Sequence, residues 1–284
     1  MYKNVLLAVK NKSDGEKIIV RAKSWAGRLE GNLYMQTVVE LMPLFTGESS
    51  YFYEEIYAKE EVAIEHAERD LHLLADKFQL DSAATFVSIG SLRPAINQGL
   101  KDRDAELLIV GSHKHSVFER IIGDDSSSNL QHCEADVLSL NYDEDRTELA
   151  LNNVLVPIAF SDSSCRLLEK AKAIAELFKA NISLLHVYPR SIFRTKNSKY
   201  EQELQEKAES KMADLIRQHN LNNATYTVLF GDPSDCVARY ATYNDFDLIV
   251  VGRNHSDFKD LIVGSAATSI LNRVRCDVFT VRLT

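Results

Sequence analysis

The residues in this sequence best suited to chemistry are Gly264 and Ser265. They follow an apolar run, Asp247-Leu-Ile-Val-Val-Gly252, and a polar loop containing His255, and they open a segment from Ala266 to Val274 that reads as a helix. A strand ending in glycine, a loop and a helix whose first amides are unpaired together form a cradle for phosphate. The loop occurs twice. Glu106-Leu-Leu-Ile-Val-Gly111-Ser-His-Lys114 leads to Gly123-Asp124, and the same spacing separates Gly111 from Gly123 as Gly252 from Gly264. The copies differ where an anion would sit. In the first, Asp124 and Asp125 follow the glycine, and a carboxylate at about 4 to 5 Å costs a phosphate roughly 3 to 4 kcal/mol at an effective dielectric near 20. The first copy therefore refuses phosphate. The second keeps Gly264-Ser265-Ala266-Ala267-Thr268, whose small residues, hydroxyl and helix start suit an anion. The alternative is that these small residues only let the loop pack closely on a sheet.

Other groups are weaker candidates. His113, His115, His132 and Cys133 carry imidazole and thiolate, the usual zinc ligands, but their spacing is not that of a closed structural site, and the second copy retains only His255. Loop or surface histidines account for them. Cys165 and Cys236 precede helical segments, where the helix dipole lowers a thiol pKa; unreactive, partly buried thiols are the default. His186 ends a strand-like segment whose earlier copy has Thr37 in that place. No Gly-x-Ser-x-Gly elbow, His-Glu-x-x-His helix or Gly-x-x-x-x-Gly-Lys-Ser loop is present, so no catalytic machinery is identified.

These loops need elements to hold them, and the elements also repeat. Asn4 to Val9 and Asn153 to Ile158 are apolar runs of strand length at matching places in the two halves. Each precedes a helical stripe: Ile18, Ile19, Ala22, Trp25, Ala26 and Leu29 after the N-cap candidates Ser13 and Asp14, and Leu167, Leu168, Ala171, Ile174, Ala175 and Phe178 after Ser161 to Ser164. Second strands run from Asn32 to Val38 and from Asn181 to Val187. Residues 41 to 58 then read as an aromatic-rich loop, placed either to cover a ligand or partner or to fold back on its own domain, against a shorter basic stretch from Pro189 to Lys196. Amphipathic helices, Glu60 to Phe78 and Tyr200 to His219, lead to third strands stopped by Gly90 and Gly231. Short helices, fourth strands ending in Gly111 and Gly252, fourth helices and fifth strands at Asp136 to Leu140 and Asp277 to Val281 complete each half. Such alternation predicts an α/β fold with a parallel sheet covered on both faces. The expected organisation is two tandem doubly wound, Rossmann-like domains, 1–142 and 151–284, joined by an acidic linker, 143–150.

The repeated glycine loop and this element order resemble the universal stress protein family in its tandem form. Nucleotide-binding members carry Gly-x-x-Gly, nine residues, then Gly-Ser/Thr. Here Lys114 and His255 stand at the second glycine and eight residues follow. The run Gly252-Arg-Asn-His-Ser-Asp257-Phe258 is closer to the subclass that does not bind nucleotide. The resemblance implies strand order 3-2-1-4-5 and a crevice between first and fourth strands. It also implies an aspartate at the end of the first strand to hold adenosine, where this sequence has Lys10 and Ala159. What remains is a vestigial nucleotide site in the second domain: Ala159, Gly252, His255, Gly264 and Ser265. The implied function is stress tolerance through binding or association without catalysis, and no cofactor. The alternative is a sensor of nucleotide or phosphorylated metabolite, binding ATP or AMP weakly in the second domain only.

Composition bounds the partners. At 284 residues and 45% hydrophobic content, two domains can each bury a core. A net charge of −8 without a run of basic residues disfavours nucleic acid. No apolar run approaches the about 18 residues of a membrane span. The first residues enter a strand without a signal-like region, so the expectation is a cytoplasmic protein with its four cysteines free. Family domains pair through their last strands, so the expected partners are the two halves of one chain as a pseudo-symmetric pair, a homodimer as a further assembly, and a protein partner of unknown kind.

Overall fold

The computed structural model describes residues 1–40, 51–112, 133–141, 150–161, 163–189, 198–221, 223–253, 270 and 273–283. The chain forms two compact units. The first is built on Met1–Ala135; the second is built on Glu148–Thr284 and takes in the strand Asp136–Asn141.

In the first unit, the strands are β1 (Asn4–Val9), β2 (Asn32–Val39), β3 (Thr85–Ile89) and β4 (Leu107–Ser112), in the order β3-β2-β1-β4 and all parallel. The helices α1 (Lys12–Arg28), α2 (Tyr51–Phe78) and α3 (Leu92–Asp102) connect them. Val5, Leu6, Leu7, Ala8 and Val9 are all buried, as a strand covered on both faces requires. In α1, Ile18, Ile19, Ala22, Trp25 and Ala26 form the buried stripe. Its N-cap is not Ser13 or Asp14 but Asn11, whose side chain accepts the Asp14 amide at 3.0 Å from an extended backbone. The helix starts earlier because an asparagine at that position already satisfies one of its first amides. Residues 51–58, expected as loop, are the first part of α2; residues 41–50 lie outside the described residues.

In the second unit, β5 (Asp136–Asn141), β6 (Asn153–Pro157), β7 (Asn181–Pro189), β8 (Thr225–Gly231), β9 (Leu248–Arg253) and β10 (Asp277–Arg282) follow the order β8-β7-β6-β9-β10-β5. All neighbours are parallel except β10 and β5. The helices are α4 (Ser164–Phe178), α5 (Ser198–Gln218) and α6 (Pro233–Tyr243). Asp232 caps α6 by accepting the Asp235 amide, and Pro233 fills its first turn, where no amide hydrogen is needed. The fourth helices expected after Gly123 and Gly264 start outside the described residues.

The pairing of β5 with β10 joins the last strands of the two sequence repeats. Leu138 lies opposite Phe279, Ser139 opposite Val278 and Val137 opposite Thr280. Matching residues of the repeats therefore face each other at the centre. The ends are held reciprocally. Asp136 Oδ1 accepts the Arg282 amide at 2.6 Å, and Asp277 Oδ1 accepts the Asn141 amide at 3.0 Å. Lys170 of α4 adds a 3.1 Å ion pair to Asp136.

A second repeated device ties helix to helix. Lys23 of α1 donates from Nζ to the carbonyl of Phe78, the last residue of α2, and Lys172 of α4 donates to the His219 carbonyl just past α5 at 3.0 Å. A cation there meets both an unpaired carbonyl and the negative end of the helix dipole.

Two outcomes follow. Lys172→Met is expected to lower stability by about 1 kcal/mol, read as a lower urea midpoint; an unchanged midpoint would remove the carbonyl contact from the account. Asp277→Ala strips the acceptor from the Asn141 amide and is expected to cost about 1.5 to 3 kcal/mol, visible as a lower thermal midpoint, with Asp277→Asn losing less.

Candidate functional site

In a sheet of this order, the connections from the first and fourth strands leave on opposite faces, and a crevice opens beyond their carboxyl ends. The first unit has this pair in β1 and β4, aligned from Val5 opposite Leu107 to Ala8 opposite Val110. Just past β1 stands Lys10, exposed and cationic, followed by Asn11, which is already engaged as the cap of α1. Gly111 is buried near the end of β4. His113, Lys114, His115, Gly123, Asp124 and His132 lie outside the described residues, and Cys133 is buried.

The second unit has the pair in β6 and β9, with Val154 opposite Leu248 and Leu155 opposite Ile249. This brings Ala159, half-buried two residues beyond β6, to the same end of the sheet as Gly252, near the end of β9. His255, Gly264 and Ser265 lie outside the described residues. Gly252 has a packing reason to lack a side chain, since a Cβ there would run into Cδ1 of Leu283. Beside it, Arg253 is a buried guanidinium at the end of β9. Sequence reading passed over it, because an arginine at the edge of a polar loop looks like a solvated one. The first unit has Ser112 at the matching place.

Past β6 the chain turns sharply. Phe160 takes φ = 57°, a left-handed conformation unusual for a bulky side chain. The Ser161 amide donates to Ser164 Oγ at 3.1 Å, and the hydroxyls of Ser161 and Ser163 lie 2.8 Å apart. This turn presses the Phe160 ring against His186, with ring centres 4.3 Å apart. His186 also meets Tyr188 in a T-shaped contact with ring centres 4.5 Å apart, and Tyr188 stacks on Phe230 at 5.6 Å. The Lys211 ammonium of α5 sits 5.0 Å from the centre of the Phe160 ring.

His186 Nδ1 bonds the Ile158 carbonyl at 2.7 Å. Burial holds the His186 pKa below the ordinary histidine value, with the nearby Lys211 adding to the depression and the Ile158 carbonyl opposing it. Tyr188 is raised, mainly by burial and further by Tyr200. The sequence signalled His186 only as the copy of Thr37; its surroundings come from the turn after β6, from β7 and β8, and from α5, and leave no local pattern.

The remaining candidates stand apart. Cys165 is exposed at the start of α4, Cys236 is half-buried in α6, and Cys276 is buried before β10. Among the described residues, no group of three or more His, Cys, Asp or Glu could hold a metal ion. No helix among them is long and apolar enough to cross a membrane.

The model of the universal stress protein family matches residues 1–140 and again 151–282. Universal stress protein A homolog 2 of Coxiella burnetii is 28% identical over 137 residues, 46% of this chain and 94% of that protein. Universal stress protein G of Salmonella typhimurium is 27% identical over 107 residues, 36% of this chain and 75% of its own length. Among solved structures, a universal stress protein from Archaeoglobus fulgidus aligns with a TM-score of 0.62 at 15% identity, covering 99% of this chain and 98% of the other. A putative universal stress protein from Pseudomonas aeruginosa aligns at 0.63 and 14%, covering 99% and 93%. Such low identities carry the fold alone, and the double family match carries the rest: this chain belongs to the universal stress protein family, with two of its domains in tandem.

Proposed function

We propose that this protein serves the stress response by binding or association rather than by turnover, in the cytoplasm, and that it belongs with the family members that do not bind nucleotide. Family membership supports the stress-response role. The observation that carries the finer reading is the end of the first strand in each unit. Exposed Lys10 follows β1 and half-buried Ala159 follows β6, so neither crevice offers there the side-chain carboxylate that relatives use on adenosine. Lys114 and His255 argue the same way: a side chain fills space that a glycine leaves for the phosphate, and it disfavours positive φ. With both ends of the nucleotide poorly met, the partner is another protein, either a further copy of the chain or a different one.

A second reading has its own support. Gly264 and Ser265, with the small residues and Thr268 that follow them, keep the composition that suits an anion at a helix start. They favour a sensor of a phosphorylated metabolite in the second domain. Native mass spectrometry of the freshly purified chain separates the two, because the sensor carries a ligand mass and the association protein a bare one.

Calorimetry with ATP and Mg²⁺ is expected to give no site tighter than about 100 μM, or roughly −5.5 kcal/mol. A micromolar isotherm that Gly264→Asp abolishes with the fold intact would overturn the non-nucleotide reading.

A further inference from the structure

The two units close the same backbone gap with different chemistry. Thr37 Oγ1 donates to the Val9 carbonyl at 3.2 Å, and His186 Nδ1 meets the Ile158 carbonyl at 2.7 Å. A carbonyl only accepts, so Nδ1 carries the proton, and Nε2 of the neutral ring is left as an acceptor. Nε2 is buried without a hydrogen-bond partner among the described residues, in a side chain that is 6% exposed. A threonine in that place holds its carbonyl at any physiological pH. A histidine holds it too, but its Nε2 can take up a further proton, which a threonine cannot.

Apart from the Ile158 carbonyl, which favours the protonated ring, the described surroundings disfavour a cation. Ile158 and Phe160 beyond β6, and Phe230 on β8, are apolar. Tyr188 on β7 meets the ring in a T-shaped contact, and its hydroxyl pKa is raised by burial and by Tyr200 of α5. The charged group that acts on the ring is the Lys211 ammonium of α5, poised over Phe160. A proton added at Nε2 would be an N–H with no acceptor among the described residues and a second positive charge facing Lys211. We propose that the His186 cluster is an acid-sensitive latch of the second unit: proton uptake at Nε2 loosens the seating of α5 on Phe160, while the first unit, closed by Thr37, does not respond.

The direction is set by linkage. Because burial depresses the His186 pKa in the folded chain, its contribution to the closed state is complete above the solution value and is lost as pH falls through the folded one. With a solution pKa of about 6.5, a closed state that excludes the proton weakens by up to about tenfold between pH of about 7.5 and about 5.5.

Hydrogen exchange of the full chain at those two pH values, corrected for the intrinsic pH dependence of exchange, tests this. Peptides covering α5 should exchange up to about tenfold faster at the lower pH, those covering α2 should not change, and His186→Thr should abolish the difference. Lys211→Met, at an exposed position, should shrink it, since the ring then meets less repulsion; this variant carries the test if His186→Thr does not fold. Equal protection of α5 at both pH values in the unmodified chain, an equal response in α2, or a full response in His186→Thr or Lys211→Met would overturn the proposal.

Discussion

Strands covered on both faces leave N–H and C=O groups just outside their ladders in need of partners, and in this fold polar side chains supply many of them. That constraint organises both units. At the entry of the first strand, Asn4 Nδ2 donates to the Arg103 carbonyl at 2.8 Å and Asn4 Oδ1 receives Asn32 Nδ2 at 3.0 Å. In the second unit, Asp247 Oδ2 receives both the Asn152 and Asn153 amides, at 2.8 and 3.0 Å. At the exit of that strand, Thr37 and His186 take the last carbonyl. Lys23 and Lys172 take the helix ends, and Asp136 and Asp277 take the ends of the β5–β10 pair. Side chains at fixed places in the repeat complete what the backbone leaves open.

This separates what was legible in the sequence from what was not. Apolar runs such as Val5 to Val9 and stripes such as Ile18, Ile19, Ala22 and Trp25 carry their own periodicity, and the repeat doubles the signal, so the places of strands and helices follow, while the strand order rests on the family resemblance. The partners of the polar side chains do not. Lys172 reads as one more charge on a solvated helix face until α5 ends beside it. Gly252 reads as part of a phosphate loop until Leu283 is found against it. Asn11 was missed as a cap because Ser13 and Asp14 are also good capping residues and lie nearer the apolar stripe.

The candidate crevice was legible in place and less so in chemistry. Ala159 and Gly252 do come to the carboxyl ends of adjacent parallel strands, because that follows from topology. Arg253 and the aromatic surroundings of His186 were not foreseen, since each depends on which side chains converge from separate elements. A local motif names a loop; burial decides what the loop meets.

The two units differ at the positions where the backbone needs only a generic donor or a generic shape. The carbonyl past the first strand accepts from a hydroxyl as well as from an imidazole, so the choice of His186 over Thr37 is not forced by folding. Burying an imidazole with one unpartnered nitrogen costs free energy that a threonine avoids. That cost falls in the second unit, while the first unit meets the matching carbonyl with Thr37. A fold repeated for stability alone would use the cheaper residue twice. At this carbonyl the second unit therefore keeps a titratable group that the fold itself does not require.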